Sequence, residues 1–209
     1  MYLRILNEIF FLFLKIVGII LLKLIYRIES VNKNSIPRTG PLIVVANHFS
    51  YMDPIVLQTM FPRRISFLMT EIYYEGKLNR LFKLLHCICV RQEGPNTASI
   101  REGLTVLKKS GVLGIFPEGS VSKEGVLQSG NPGIGFFVLK SGVKVVPAFI
   151  TGTYEALPKG AKIPKRTKIK IHFGLPIGFE NVGIGKNDRE RIVEITNEVM
   201  KQIKGLSMQ

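Results

Sequence analysis

His48 and Asp53 stand five positions apart in "ANHFSYMDP", at the end of an apolar run, and His48 is the first of only three histidines in 209 residues. An imidazole with an unperturbed pKa of ~6.5 takes up a proton near neutral pH, which suits general-base work. A carboxylate beside it fixes the tautomer and stabilises the imidazolium as it forms. The same residues have a second reading. Asp53 directly before Pro54 is a good helix opening, with Asp as cap and Pro in the first turn. The two roles are compatible if one carboxylate oxygen caps the helix while the other faces the imidazole. A second polar loop, "PEGSVSKEG", follows the apolar run that ends at Phe116 and carries Glu118 and Lys123.

Covalent chemistry has weaker candidates. Ser50 is too close in sequence to His48 for an easy triad, and Ser120 lacks a Gly-x-Ser-x-Gly frame. Cys87 and Cys89 are the only cysteines, and they sit in an apolar run that disfavours a thiolate. A single intervening residue is too short for most disulfides. With His86 the pair makes three ligands at most, so no metal site is expected. Buried, reduced thiols fit a cytosolic face.

These groups need a scaffold. Beyond Glu29 the chain alternates short β-branched runs with amphipathic ones. Pro41–Asn47, Arg64–Met69, Cys87–Val90, Val112–Phe116 and Val143–Ile150 read as strands. Thr167–Phe173 alternates and reads as an edge strand. Helices are expected from Asp53, around Lys77–Leu85, from Asn96 or Ser99 to a stop at Gly111, from Asn131-Pro132 to Gly142, and from near Asp188. Gly174–Gly185 reads as a surface loop. This alternation predicts an α/β fold with a mainly parallel central sheet flanked by helices. Ligands of such sheets bind beyond the carboxyl ends of the strands. If the strands before the two polar loops are parallel, His48, Asp53, Glu118 and Lys123 share one rim.

The N-terminus differs. Leu3–Ile28 is long enough to span a bilayer, but Arg4, Glu8, Lys15, Lys23 and Arg27 interrupt it. At ~100° per residue, Arg4, Asn7, Glu8, Lys15 and Gly18 share one face. An amphipathic interfacial helix or short helical hairpin, half sunk in a leaflet, fits this pattern best; a spanning helix and a soluble core helix are the alternatives. No small-residue cleavage site follows, as it would after a removed signal peptide. The expected organisation is a membrane-associating segment over residues 1–29 and an α/β catalytic domain over 30–209.

The net charge is +14, from 29 Lys and Arg against 15 Asp and Glu. Such a balance calls for an anionic partner: nucleic acid, a membrane surface or a phosphorylated ligand. The absence of tryptophan, of aromatic-basic interleaving and of a helix-turn-helix signature argues against nucleic acid. The cluster Lys159, Lys162, Lys165, Arg166, Lys168 and Lys170 reads equally as membrane-directed charge or as a solvated loop with a lysine-protected edge strand.

"NHFSYMD" followed by "FPEGS" resembles the glycerolipid acyltransferase superfamily, and within it the 1-acyl-glycerol-3-phosphate acyltransferases. Four blocks occur in that family's order: the His-x4-Asp block at Asn47–Asp53, a strand ending in arginine at Cys87–Arg91, Phe116–Gly119, and Val146-Pro147. They cover about Pro37 to Phe173, and Gly152–Pro176 also reads like the family's C-terminal part. The resemblance implies that His48 deprotonates the acceptor hydroxyl, which attacks an acyl thioester directly, with Asp53 as its partner. It implies that Glu118 and Gly119 organise the acceptor site and that Arg91 serves the acceptor phosphate. Ser120 and Lys123 are the remaining substrate-side candidates. Asn47, Pro117, Val146 and Pro147 shape the motifs, and backbone N–H groups near the rim would stabilise the oxyanion.

The implied donor is acyl-CoA or acyl carrier protein, the acceptor lysophosphatidic acid, and the setting an anionic membrane on its cytoplasmic side. No cofactor, metal or nucleic acid is expected. Three departures from the family pattern each remove a cation from the acceptor side. Ser120 and Val121 stand where an arginine is common, Thr70 and Glu71 where many members have a lysine, and Asn131 where many carry another. They keep open the same chemistry on a different lysophospholipid or an amino-acid lipid. A non-catalytic basic membrane-binding module is the reading from another class, and such a module has no use for His48.

Overall fold

The computed structural model describes residues 2–94 and 96–208. In chain order the elements are α1 (Tyr2–Tyr26), β1 (Glu29–Val31), β2 (Leu42–Ala46), α2 (Asp53–Met60), β3 (Ile65–Thr70), α3 (Glu71–Tyr74), α4 (Asn79–Leu84) and β4 (Ile88–Val90). They continue with α5 (Thr97–Lys108), β5 (Val112–Ile115), α6 (Gly133–Ser141), β6 (Val145–Thr151), α7 (Thr153–Ala156), β7 (Lys170–Phe173) and α8 (Asp188–Leu206). The strands form one sheet in the order β1-β7-β6-β2-β5-β3-β4. β2 to β6 are parallel, β7 is antiparallel to β6, and β1 runs parallel to β7. This is the mainly parallel α/β sheet that the alternation predicts.

Strand alternation divides the core in two. On β2, Leu42, Val44 and Ala46 join the cluster that contains Leu22 of α1 and Val56, Leu57 and Met60 of α2. Ile43 and Val45 join the opposite cluster, with Leu107 of α5, Phe137 of α6 and Ile195, Val199 and Ile203 of α8. β2 is thus buried on both faces, and the loop that follows it, carrying His48, leaves a rigid strand.

Several expectations need correction. Thr167–Phe173 is not an edge: the strand begins at Lys170, and β1 covers it. β1 has only three residues, too few to show a period, so the segment that closes this side is silent in sequence. The boundary expected between residues 29 and 30 falls inside β1, and Leu22 and Tyr26 of α1 belong to the common core. Gly111 does not take the left-handed turn after α5. Ser110 does, at φ 58°, and the Gly111 N–H then reaches back to the Val106 carbonyl at 2.9 Å. The position needs glycine for space instead, since a Cβ there would lie 2.8 Å from that carbonyl.

The N-terminal segment takes the single-helix form, continuous from Tyr2 to Tyr26, with Arg27 at φ 46° ending it. Its polar stripe is the docking face toward the α/β domain. Arg64 pairs with Glu8 at 3.2 Å, donates to the Asn7 carbonyl at 3.2 Å, and lies over the Phe11 ring at 4.0 Å. Lys15 donates to the Phe61 carbonyl, and Gly18 packs on Thr59. The outward face is apolar and exposed, including Ile9, Phe13, Ile16, Ile20 and Leu24.

Gly114 links this packing to the site. It lies in the middle of β5, paired with Val44 and Phe67, and a Cβ there would sit 2.4 Å from Ile65 Cγ2 and 2.6 Å from Phe67 Cδ1. Its missing side chain leaves room for the Phe67 ring, which stacks on Phe116 at 5.7 Å. We expect Gly114→Val to destabilise the protein by ~1–3 kcal/mol through overpacking, read as a lower denaturant midpoint at unchanged slope. An unchanged midpoint would show that the rings yield at no cost.

Candidate active site

The parallel strands β2, β5, β3 and β4 end on one rim, carrying His48, Glu118, Glu71 and Arg91 in the segments that follow them. The first two loops are bonded together. The His48 N–H donates to Glu118 Oε1 at 2.7 Å, and the Ser122 N–H donates to the His48 carbonyl at 2.8 Å.

His48 Nδ1 lies 3.0 Å from Asp53 Oδ2. An ionised carboxylate only accepts, so Nδ1 carries the hydrogen and Nε2 keeps its lone pair. Asp53 is fully buried, whereas the His48 side chain is 16% exposed. Nε2, which has no partner among the described residues, therefore lies on the accessible edge of the ring. Phe116 fixes the ring plane, stacking on it at 4.1 Å with 19° between planes. Aromatic rings thus run Phe67–Phe116–His48 from the core to the rim.

Asp53 does not cap α2 as expected. It is the first residue of that helix and makes no capping bond to it; Oδ2 instead also accepts the Phe49 and Ser50 N–H groups, each at 2.7 Å. Oδ1 is buried without a partner. The carboxylate holds the loop that precedes it, so the role shared between its two oxygens falls on one.

Glu118 is a strut. Oε1 takes His48 N–H, and Oε2 takes Gln128 N–H at 3.0 Å. Burial pushes its carboxyl above the usual carboxylate range, against those two donors, which favour the charged form. Gly119, at φ 74°, turns the chain away, and its N–H returns to the Phe116 carbonyl at 3.1 Å. The N–H groups of His48, Phe49, Ser50, Gly119 and Ser122 are all engaged within the loops, so any oxyanion donor is a different one.

The other motif residues are placed as follows. Asn47 is fully buried and extends the β2–β6 ladder with its amide, donating to the Ile150 carbonyl at 2.9 Å and accepting its N–H at 2.7 Å. Pro117 is held by the Asn131 N–H, which donates to its carbonyl at 2.7 Å; the Asn131 side chain also accepts the Gly133 N–H at 3.0 Å, at the start of α6. Val146 is core. Pro147 faces Gly174 across β6–β7; Gly174 N–H donates to its carbonyl at 2.8 Å, and proline offers no N–H in return. The ladder breaks there and resumes one residue out of step at Val145↔Ile177. Arg91 is exposed at the end of β4, three strands from β2, or about 14 Å at ordinary strand spacing. Ser120 and Lys123 line a cavity of about 310 Å³ beside Glu118.

Burial pushes the Cys87 thiol up to about 11, so it is a poor nucleophile. The basic cluster after α7 divides. Arg166 donates to the Ile25 carbonyl at the end of α1 at 3.1 Å, and Lys168 pairs with Glu29 at 2.9 Å. These two are structural, and Lys159 reaches the rim. Phe116 as a ring support and Ser50 as an anchor were missed in the sequence reading. Phe116 had a signal, an aromatic between the apolar run and Pro-Glu; Ser50 had none.

The chain is similar to known proteins over most of its length. Residues 27–151 match the family model described as Acyltransferase. A 1-acyl-sn-glycerol-3-phosphate acyltransferase of Bacillus subtilis is 25% identical over 178 residues, spanning 84% of this chain and 85% of that protein. One from Limnanthes douglasii is 27% identical over 150 residues, covering 70% of this chain and 53% of the plant protein. The 1-acyl-sn-glycerophosphate acyltransferase PlsC of Thermotoga maritima has the same fold, with a TM-score of 0.73 at 22% identity over 95% of this chain and 82% of that one.

Proposed function

Because the chain belongs to the acyltransferase family, with the family model spanning residues 27–151, we propose that it acylates the 2-hydroxyl of 1-acyl-glycerol 3-phosphate to give phosphatidic acid. The observation that carries this is the oriented pair: His48 Nδ1 on buried Asp53 Oδ2 at 3.0 Å, with the opposite ring edge at the rim. The names of relatives from Bacillus and Limnanthes support the acceptor.

In this reading Nε2 of His48 takes the acceptor's hydroxyl proton as its oxygen attacks the thioester carbonyl. The tetrahedral intermediate then collapses, the C–S bond breaks, and the imidazolium returns its proton to the departing thiolate. Asp53 keeps the tautomer and stabilises the imidazolium. Phe116 and Glu118 hold ring and backbone, so little reorganisation is needed at the moment of transfer. The donor is acyl-CoA or acyl carrier protein.

A lipid acceptor requires a membrane surface. The outward apolar face of α1 supports an interfacial seat, with the polar stripe already spent on the domain. Around the rim Tyr51, Ile55, Ile72 and Tyr73 are also exposed. In this reading the protein works at the cytoplasmic leaflet, where acyl thioester donors are available.

The test is direct. Purified full-length protein with lysophosphatidic acid and either acyl donor should form phosphatidic acid, and should prefer this acceptor to lysophosphatidylcholine, lysophosphatidylglycerol and a lyso-amino-acid lipid. Equal or better use of the acceptors that lack a phosphate monoester would refute the assignment.

A further inference from the structure

The motif arginine is replaced by Ser120 and Val121, yet a glycerol phosphate held at His48 places its phosphorus only a few bonds from the reacting hydroxyl. We infer that Lys159, from the β6–β7 connection, together with Lys123, binds the phosphate monoester of the acceptor in the cavity beside Glu118. This inference rests on the proposed acceptor and names the residues that recognise it.

The cavity of about 310 Å³ is lined by Ser120, Lys123, Glu124, Gln128 and Lys159 among others, so two cations face one carboxylate. Neither lysine is in a salt bridge among the described residues. Gln128, one of the lining residues, donates its N–H to Glu118 Oε2 at 3.0 Å, which ties the cavity to that strut. Lys159 Nζ donates to the Val121 carbonyl at 3.4 Å, and the next residue, Ser122, donates its N–H to the His48 carbonyl at 2.8 Å. The lysine is therefore two hydrogen bonds and one residue away from the base.

Its position is built, not incidental. Ser50 is fully buried, and its Oγ donates to the Leu157 carbonyl at 2.7 Å, two residues before Lys159. The same Oγ accepts the Met52 N–H at 3.1 Å. Ser50 thus staples the Lys159 segment to the His48–Asp53 loop and acts as a positioning residue. Arg91, at the far strand of the rim, is not the cation next to the base. Lysine meets a phosphate as a point charge through three rotatable donors, so it substitutes for arginine without the fork geometry.

Two measurements test this on the full-length protein: turnover, and equilibrium binding of lysophosphatidic acid below its micellar concentration. Lys159→Ala should weaken binding and raise KM for lysophosphatidic acid roughly tenfold, with a smaller change in kcat, and Lys123→Ala and Lys159→Ala together should do more. The acyl donor's KM should hold. Ser50→Ala should raise the acceptor KM in the same direction, and Lys159→Arg should restore it. If the lysine variants bind and use lysophosphatidic acid like the wild type, or if only the donor's KM rises, the inference fails. Wild-type binding that depends on Lys159, without turnover, would sink the proposed reaction and leave the phosphate site standing. Wild-type protein with neither binding nor turnover would overturn both.

Discussion

Replacing His48 by alanine should lower kcat for acyl transfer by ~10²–10⁴-fold or more, in a protein that still folds. The ring contributes one stack, on Phe116 at 4.1 Å, and one of three donors to Asp53 Oδ2. Phe49 and Ser50 N–H groups remain on that oxygen, so the carboxylate stays partnered. The stability loss is then ~0.5–1.5 kcal/mol, the scale of an aromatic pair. Single-turnover formation of phosphatidic acid reads the chemical step, and a thermal melt reads the fold. His48→Gln separates the roles further, since its amide fills the ring's place and donates to Asp53 but is no base. Its kcat should be as low as that of the alanine variant. Undiminished turnover in either variant would rule out the general-base role.

The second large effect is at Asp53, where two substitutions should part company. Asp53→Ala removes the one oxygen on which three donors converge. The Phe49 and Ser50 N–H groups are buried, and each orphaned donor costs roughly 1–3 kcal/mol. This variant should lose both stability and activity. Asp53→Asn keeps an oxygen for the two amides but removes the charge that stabilises the imidazolium. Its amide nitrogen takes the place of Oδ1, which is buried without a partner, so the new donor has no acceptor. We expect kcat to fall by ~10²–10⁴-fold, with a smaller stability loss than in the alanine variant. Chemical denaturation and kcat measured side by side make the distinction. Asp53→Asn with wild-type kcat would show that the carboxylate only braces the loop.

Local patterns set much of this molecule. The apolar runs that became β2, β3, β5 and β6 are legible because strands buried over much of their length need apolar residues at most positions. The helix from Asn131-Pro132 to Gly142 is legible because Gly142 takes φ 63°, a turn that glycine makes without strain. The alternation of such elements implies a parallel sheet, and a parallel sheet implies that loops after strands share a rim. His48, Asp53 and Glu118 follow from those steps. The acyltransferase resemblance rests on the same short blocks, which are local in sequence.

What failed to show was non-local. The three-residue β1 has no period of its own, and its place beside β7 depends on where α1 ends. The polar stripe of α1 looked like a water-facing surface, because composition cannot tell a face that meets water from one that meets Arg64 and the Phe61 carbonyl. Asp53 has the sequence of a cap, but the chain turns at His48–Ser50 so that three donors reach Oδ2 first. The Phe67–Phe116–His48 stack depends on a glycine in β5, and the loop carrying Val121 is met by Lys159, more than a hundred residues beyond His48. The sequence by itself determined most of the elements and the His48–Asp53 pairing, since side-chain period and turn chemistry act over a few residues. Only the tertiary structure decided which face of α1 is covered, which oxygen of Asp53 takes the three donors, and which lysine meets the loop after Glu118, because those depend on segments brought together by crossovers that no local pattern records.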